Sequence, residues 1–298
     1  MGKLIIIDGD AIMHRAFHAL PPLTTKRGEP INAVYGLVSM LLRVIQDLKP
    51  EKIAVTFDEK EKTFRHVALP SYQAQRPQMA DDLSSQFQKA KDFLTAAGIS
   101  IYSKPGFEAD DVIGTLTEKS GGGVVIVTGD RDQLQLVSDK KDIKLYMPIA
   151  GLTNAKLFGE EETLARMGVP AALIDDYKAL VGDASDNYSG VPGIGPKTAI
   201  NLLGKYGSFE NIYKNINDIP ESTRKKLKDG EEEGRLSKKL ATIVRDVPIE
   251  IDFEKMSKWR VDSPEVLKLF EEFGFKTLTN RVKSVGKKLE EEKQGALF

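Results

Sequence analysis

The sequence predicts an α/β fold in which a parallel sheet carries acidic residues along one edge. Two observations support this: short apolar runs alternate with segments of helical periodicity over residues 1–150, and most of these runs end on aspartate. Apolar runs of about four to eight residues are typical of buried parallel strands, with helices covering both faces of the sheet. From about Pro170 the strand-like runs cease and helical patterns continue. We therefore expect a sheet domain followed by a smaller helical domain.

The individual elements can be assigned from the same periodicities, taken in chain order. We predict strands at 4–8, 52–58, 99–103, 123–128 and 143–147. We predict helices at 33–48, 108–119, 171–181, 196–205, 208–216, 236–245 and 264–273. Pro50 ends the first of these helices, because proline cannot continue one. Residues 283–298 are polar and charged, so we expect them to form a flexible tail.

Composition excludes several classes of protein. The chain has 298 residues, 41% of them hydrophobic, contains no cysteine and carries a formal net charge of -1. It contains no apolar stretch of membrane-spanning length, and the run that ends at Asp8 is too short for the core of a secretion signal. The absence of cysteine excludes disulfides, thiolate catalysis and cysteine-based zinc sites. These features are compatible with a cytoplasmic protein that has no membrane partner.

Acidic residues recur where the apolar runs end. The carboxyl ends of parallel strands meet at one edge of a sheet, where ligands bind in open α/β folds. Carboxylates gathered there repel one another unless cations lie between them, and oxygen-only ligand sets suit Mg²⁺ or Mn²⁺. A single aspartate at a strand end is more often a helix cap, but the spacings E-x-D-D, D-x-D and D-x-x-D favour a site for two ions. The acidic residues are Asp8, Asp58, Glu108, Asp110, Asp111, Asp130, Asp132, Asp183 and Asp186.

Residues 63–87 come after the second acidic strand end and contain few apolar positions. They hold Arg65, His66, Tyr72 and Arg76. One interpretation is an ordinary long loop. The other is an arch over the site that brings cations and an aromatic ring to single-stranded nucleic acid.

The string GVPGIGPKTA at 190–199 predicts a helix–hairpin–helix. Gly193 and Gly195 permit a tight hairpin, and free backbone N–H groups at the next helix start, with Lys197 and Thr198, suit a phosphate group without reading bases. The alternative is a plain turn between two helices. Basic residues outnumber acidic ones from Gly190 onward, and the reverse holds before it. This distribution is compatible with a polyanion partner.

In order and spacing these motifs resemble those of bacterial 5′-nucleases, in particular the 5′→3′ exonuclease (flap endonuclease) domain of bacterial DNA polymerase I and its stand-alone forms. The likeness runs over about residues 3–275 and rests on Asp8, Asp58, EADD at 108–111, TGDRD at 128–132 and GDASDNYSGVPGIGPKTA at 182–199. It implies a PIN-like (Rossmann-like) parallel-sheet domain at 1–169 with a helical arch at about 63–90, and a helical helix–hairpin–helix domain at 170–282. It also implies metal-dependent hydrolysis of phosphodiester bonds in branched or 5′-ended DNA and RNA primers, in replication and repair.

The resemblance assigns roles to individual residues. Asp8, Asp58, Glu108 and Asp110 would hold a first ion, Asp130, Asp132, Asp183 and Asp186 would hold a second, and Asp111 would bridge them or order waters. Arg15 matches an arginine near the scissile phosphate, and Arg65 and Arg76 match cationic positions of the arch. Tyr72, Gln73 and the hairpin residues would contact DNA. A K⁺ ion at the hairpin is a further expectation.

Two residues depart from the family pattern. The arch motif usually reads Tyr-Lys-x-x-Arg, whereas Gln73 replaces the lysine here, and His14 stands where relatives often carry tyrosine. We still expect activity, because every acidic position of the pattern is filled. A PIN-type ribonuclease is disfavoured by the duplex-binding hairpin, and a non-catalytic branched-DNA binder would be favoured by the loss of a carboxylate.

The last five residues form a separate motif. Gln294, Leu297 and Phe298 resemble the short peptide by which bacterial replication proteins bind the sliding clamp, which we therefore expect as a partner. The alternative is that the two terminal apolar residues pack on the body of the protein.

Overall fold

One six-stranded sheet with the strand order β3-β2-β1-β4-β5-β6 organises the protein. The computed structural model describes residues 3–150 and 154–295. The strands are β1 Leu4–Asp8, β2 Lys52–Thr56, β3 Ser100–Tyr102, β4 Val124–Val127, β5 Ile143–Ala150 and β6 Asn154–Phe158. The first five run parallel, and β6 pairs antiparallel with β5. We did not predict β6, because only Phe158 of this strand is buried and the segment has no apolar run.

The central strand β1 is buried on both faces, as its uninterrupted apolar sequence predicts. Ile5 and Ile7 belong to one core cluster, while Leu4 and Ile6 belong to a second.

The helices are α1 Gly9–Ala19, α2 Asn32–Leu48, α3 Phe64–Ala68, α4 Asp81–Ser84, α5 Gln86–Ala96, α6 Ala109–Ser120, α7 Glu160–Met167, α8 Ile174–Val181, α9 Pro196–Tyr206, α10 Phe209–Lys214, α11 Glu221–Asp229, α12 Glu231–Ala241, α13 Pro264–Phe273 and α14 Lys276–Gly295. The first cluster includes residues of α2, α5, α13 and α14, and the second includes residues of α6, α8 and α9. The second cluster joins the sheet to the helices beyond residue 170.

The predicted helix at 236–245 ends earlier, because residues 242–247 pack along α6. The backbone N–H groups of Val244 and Val247 donate to side chains of α6 instead of continuing the helical ladder. Gly114 permits this approach: a Cβ at that position would lie 2.5 Å from Ile243 Cγ2. The polar helix α12 therefore begins and ends about four or five residues before the predicted bounds.

The flexible tail predicted from residue 283 differs from the structure, in which α14 continues to Gly295. The reason is an apolar stripe at helical spacing: Leu278, Val282 and Val285 are buried in the first core cluster. Two ion pairs join the later turns to the body, Arg260 with Glu290 and Lys49 with Glu292. Within the described part of the chain, no helix is both long and apolar enough to cross a membrane.

Candidate active site

Three aspartates meet at the carboxyl edge of the sheet because their strands are neighbours. The strand order places β1 between β2 and β4. Asp8 is the last residue of β1, Asp58 comes after β2, and Asp130 comes after β4. They line a cavity of about 520 Å³ together with Glu108, Asp110, Asp132 and Asp186. The predicted convergence of carboxylates is therefore present in the structure.

Asp8 also begins the helix that comes after it. Its Oδ1 accepts a hydrogen bond from the backbone N–H of Ala11 at 3.0 Å, which caps α1, and its Oδ2 accepts one from Thr128 Oγ1 at 2.7 Å. Burial raises the pKa of Asp8 to about 7 despite these bonds, and repulsion by Asp130 and Asp58 adds to the effect. Asp8 therefore both caps α1 and lines the cavity.

The helix α6 supplies Glu108 and Asp110 from its first turn. Its N-terminal N–H at Ala109 donates to Asp58 Oδ1 at 2.6 Å, so the helix start is fixed to the end of β2. Burial raises the pKa of Glu108 to about 7. Burial, and after it repulsion from Asp130 and Asp8, raises the pKa of Asp110 well above its usual range. Buried carboxylates that repel one another are stabilised by a cation, and an all-oxygen donor set fits a hard divalent ion.

The carboxylates fall into two groups. The first acidic group comprises Asp8, Asp58, Glu108 and Asp110, and the second comprises Asp132, Asp183 and Asp186. Oxygen atoms of Asp132, Asp183 and Asp186 all lie within 4.8 Å of one another. Asp132 begins a short 3₁₀ helix after β4, and the other two lie in the loop after α8. That loop is closed by paired backbone hydrogen bonds between Asp183 and Tyr188, of 2.8 and 3.1 Å.

Two residues of this site were missed in the sequence. Asp10 lines the cavity, its Oδ2 accepts from the backbone N–H of Asp58 at 2.8 Å, and burial raises its pKa well above the usual range. The D-x-D spacing of Asp8 and Asp10 was an available signal. Lys178 forms ion pairs with both Asp132 and Asp183. A lysine within a short helix gave no such signal.

Arg65 lines the cavity and pairs with Asp111, which does not belong to the cavity lining. The guanidinium binds the Asp111 carboxylate through two bonds of 2.7 and 2.9 Å, and the two residues are 2% and 0% exposed. Arg65 also donates to the carbonyl groups of Leu240 and Thr242, and Asp111 accepts from the backbone N–H of Val244. Asp111 is thus a buried partner of arginine, and the geometry favours a structural role over bridging of ions. Arg65 retains one contact with the site, at 3.5 Å from Glu108 Oε2.

The arch segment lies closed against the second acidic group. Asp186 Oδ1 accepts from Gln73 Nε2 at 3.2 Å and from Arg76 Nη2 at 2.6 Å, and Tyr72 Oη lies 3.3 Å from Asp186 Oδ2. Gln75 and Asn187 add a further bond of 2.9 Å. Gln73 has a φ of 56° and Asn187 a φ of 61°, both in the left-handed region that non-glycine residues rarely adopt. Tyr72, Gln73 and Arg76 therefore contact carboxylates, and about half of the Arg76 side chain remains exposed.

Of the two α1 residues singled out in the sequence, His14 lines the cavity, whereas Arg15 lies beside a neighbouring turn. Burial lowers the pKa of His14. The Arg15 guanidinium lies beside Gly129, where a Cβ would be 3.6 Å from its Nη1. Arg15 is thus next to the turn that carries Asp130.

The predicted hairpin forms a separate surface that does not line this cavity. Gly193 has a φ of 79°, and its carbonyl accepts from Lys226 Nζ at 3.1 Å. Gly195 caps α9, which begins at Pro196. Lys197 is exposed and Thr198 is half-buried. Of the terminal motif, Leu297 and Phe298 lie outside the described residues, as does the side chain of Gln294.

Comparison with known proteins places the whole chain. A family model described as "5'-3' exonuclease, N-terminal resolvase-like domain" matches residues 3–168, and one described as "5'-3' exonuclease, C-terminal SAM fold" matches residues 169–264. The 5'-3' exonuclease of Aquifex aeolicus is 40% identical over 302 residues, with 100% of both chains covered. DNA polymerase I of Caldicellulosiruptor bescii is 40% identical over 283 residues, which cover 94% of this chain and 33% of that protein. For DNA polymerase I of Bacillus subtilis, the matched region is 32% of that protein. The chain thus spans about a third of the length of these polymerase relatives.

Solved structures show the same architecture. The T5 5'-exonuclease with bound zinc superposes with a TM-score of 0.65 at 20% identity, covering 95% of this chain and 98% of that one. Flap endonuclease-1 from Methanococcus jannaschii superposes with a TM-score of 0.62 at 17% identity, covering 98% and 94%. At these identities the likeness concerns the fold, and it confirms the predicted α/β class with a helical C-terminal region. Together with the full-length relative and the two family models, it establishes that this chain belongs to the 5′-3′ exonuclease family.

Proposed function

We propose that the chain is a divalent-metal-dependent, structure-specific 5′-nuclease that hydrolyses phosphodiester bonds at 5′ flaps, nicks and 5′ ends of DNA and at RNA primers. The observation that carries the proposal is the meeting of carboxylates from β1, β2, β4, α6 and the loop after α8 in one cavity. The relatives named 5'-3' exonuclease and DNA polymerase I support a role in replication and repair. A T5 flap endonuclease complex, described as holding DNA and metal ions, has the same fold at a TM-score of 0.65.

The two acidic groups suit two ions, Mg²⁺ or Mn²⁺. Divalent ions bound in such a site lower the pKa of water and stabilise negative charge on phosphate oxygens. We propose that the first would be held by Asp8, Asp58, Glu108 and Asp110, and the second by Asp130, Asp132, Asp183 and Asp186. Asp10 holds the chain at Asp58 in place through the backbone N–H of that residue.

Two arginines, Arg76 of the arch segment and Arg15 of α1, would bind a phosphate group of the nucleic acid. Arg76 has a side chain that is 53% exposed, so it can turn from Asp186 toward a nucleic acid at the mouth of the cavity. Arg15, beside the turn that carries Asp130, would bring a second guanidinium to the same region. Arg65 is instead a positioning residue, because its guanidinium holds Asp111 and lies against Glu108.

The hairpin would bind duplex DNA through its backbone. Gly195 leaves the N-terminus of α9 open, since a Cβ at that position would meet nothing within 4 Å. Backbone N–H groups at a helix start, with the exposed Lys197 adjacent, are suited to a phosphate of any sequence. A K⁺ ion at this hairpin belongs to the same proposal.

Three further points rest on sequence alone. We propose that the C-terminal peptide with Gln294, Leu297 and Phe298 binds a bacterial sliding clamp, that the protein is a monomer, and that it acts in the cytoplasm on nucleoid DNA. A titration of the peptide 287–298 with clamp tests the first point, beside a control peptide with alanine at Leu297 and Phe298. Equal binding of both peptides would contradict it.

A cleavage assay tests the proposed function. A 5′-labelled flap duplex is incubated with the protein and Mg²⁺, in parallel with EDTA and with a single-stranded RNA of equal length. The proposal predicts Mg²⁺-dependent cuts at or next to the junction. Cleavage confined to the single-stranded RNA would indicate a ribonuclease, and binding of the flap without any cut would indicate a non-catalytic DNA-binding protein.

A further inference from the structure

The two acidic groups differ in how their charge is compensated within the protein. In the first group, Arg65 Nη1 lies 3.5 Å from Glu108 Oε2 but binds Asp111 more closely, at 2.7 Å. In the second group, two basic side chains lie directly on the carboxylates: Lys178 on Asp132 and Asp183, and Arg76 on Asp186. The second group therefore carries its own cations.

Lys178 is positioned for this contact by the fold. It lies on α8, five residues before Asp183, and its side chain is only 8% exposed. The preceding residues of the helix pack into the second core cluster, and the lysine stem is buried with them. A buried ammonium is unfavourable unless it is paired, so this one is committed to its two carboxylates.

Most side-chain oxygen atoms of this group already contact a donor. Asp183 Oδ2 binds Lys178, and Asp183 Oδ1 accepts from both the backbone N–H and the hydroxyl of Ser185. Asp186 Oδ1 binds Arg76 and Gln73. A divalent ion that binds here competes with these donors for most of its oxygen ligands.

We propose that Lys178 and Arg76 are built-in counter-ions of the second acidic group: they hold Asp132, Asp183 and Asp186 together without a divalent ion, and they compete with the ion that binds there. This inference rests on the proposed two-ion function. It makes the two ion sites unequal, because in the second site two basic side chains already offset part of the charge of the carboxylates. It also couples binding of the second ion to the arch. An ion that binds the Asp186 carboxylate displaces Arg76, and the arch thereby loses this ion pair with Asp186.

The variant Lys178→Met tests the competition, because methionine retains the length and apolar character of the stem and removes the charge. Arg76→Gln tests the same point at a half-exposed residue whose replacement leaves the core intact. Lys141→Met is the matched control, since it removes a lysine that pairs with Glu118 at 2.8 Å on the exposed surface. The probe is Mn²⁺ alone, without DNA. Binding is measured by calorimetry and by the electron paramagnetic resonance of free Mn²⁺.

The wild-type protein and the control should bind two Mn²⁺ ions with unequal dissociation constants. Lys178→Met should lower the larger dissociation constant by about tenfold or more, because a positive unit charge near the ion is removed. The smaller dissociation constant should be unchanged. The metal-free melting temperature of Lys178→Met should fall, and the rise on adding Mn²⁺ should exceed that of the control. Arg76→Gln should shift the larger dissociation constant in the same direction, by less.

Two outcomes would overturn the inference and are distinguishable from each other. In the first, Lys178→Met and Arg76→Gln each bind two ions, and the larger dissociation constant is unchanged or increased in both. This result would remove the counter-ion role and leave the proposed function standing. Fewer than two ions bound by the wild type at saturation would overturn both the two-ion assignment and this inference. If Lys178→Met does not fold, as judged by circular dichroism, Arg76→Gln alone decides between these results.

Discussion

The Arg65 guanidinium and the Asp111 carboxylate face each other in the interior and share two hydrogen bonds, of 2.7 and 2.9 Å. This pair connects α3, at the base of the arch, to the first turn of α6, and Arg65 continues to the carbonyl of Leu240 at the end of α12. Three segments far apart in sequence therefore meet at one buried ion pair. The pair also helps to position Glu108 in the cavity wall, because Arg65 Nη1 lies 3.5 Å from Glu108 Oε2.

Breaking this pair should destabilise the protein without removing an ion ligand. Asp111→Ala leaves a buried guanidinium unpaired, and the free energy of unfolding should fall by about 3–5 kcal/mol. The double variant Arg65→Met Asp111→Ala should cost less than the sum of the two single changes, because neither charge is then left alone. Urea unfolding measures both. If the losses in free energy of unfolding are additive, the two residues do not act as a pair. If the folded double variant binds one Mn²⁺ ion fewer than the wild type, Asp111 is an ion ligand.

Removing one repelled carboxylate should separate stability from activity. Asp110→Asn takes away a charge that burial and neighbouring carboxylates disfavour, so the metal-free protein should melt at a higher temperature. The same change removes the negative charge and one of the two oxygen atoms of a proposed ion ligand, so flap cleavage should be abolished while flap binding persists. Asp92→Asn, on the exposed face of α5, serves as the control. Full cleavage by Asp110→Asn at saturating Mg²⁺ would remove this residue from the ion site.

The metal-free protein should lose stability as the pH rises toward neutrality. The pKa of Asp8 is raised from 3.8 to about 7 and that of Glu108 from 4.5 to about 7, so the folded state binds more protons than the unfolded state between these values. The stabilisation from their neutral forms is complete below about pH 4 and is lost as the pH rises through about 7. Urea midpoints in EDTA from about pH 4 to about pH 8 measure this effect. The variant Asp8→Asn Glu108→Gln should show a flatter profile, and a wild-type midpoint that rises over this range with no difference from the variant would contradict the assignment.

A methyl group at the hairpin should weaken duplex binding without affecting the fold. Gly195 has an ordinary φ of -97° and open space around its Cβ position, so Gly195→Ala should be tolerated. The added carbon would keep a phosphate from the N–H groups of α9, and affinity for duplex DNA should fall about tenfold, because a hydrogen bond to a charged group contributes about 1.5–3 kcal/mol. Gly204→Ala is the matched control, since its Cβ position on the same helix is equally open. Fluorescence anisotropy with a blunt duplex measures affinity, and equal binding by the two variants would reduce the hairpin to a structural turn.

The acidic edge of the sheet was predictable from sequence because two simple rules combine there. Buried parallel strands are readable as apolar runs, and the topology brings the residues at the carboxyl ends of these strands to one edge. Asp8, Asp58 and Asp130 could therefore be placed together. The contribution of Lys178 was not readable, because it depends on how α8 packs against α12 and against the 3₁₀ helix that begins at Asp132.

Two other features depend on long-range packing. The closed arch was inaccessible to sequence reasoning, since the contact between Gln73 and Asp186 joins residues that are 113 positions apart. The tail prediction was wrong because an apolar stripe of only a few residues in α14 is diluted by many charges.

The central claim is that this edge of the sheet is a metal-dependent nuclease site, and one measurement tests it most directly. The single-turnover rate of cleavage of a 5′-labelled flap duplex is recorded against Mg²⁺ concentration for the wild type, Asp130→Asn and the control Asp92→Asn. We expect cuts at the junction whose rate rises with Mg²⁺, vanishes in EDTA and in Asp130→Asn, and is unchanged in Asp92→Asn. Cleavage that persists in EDTA, or that survives in Asp130→Asn at the wild-type rate, would contradict the claim.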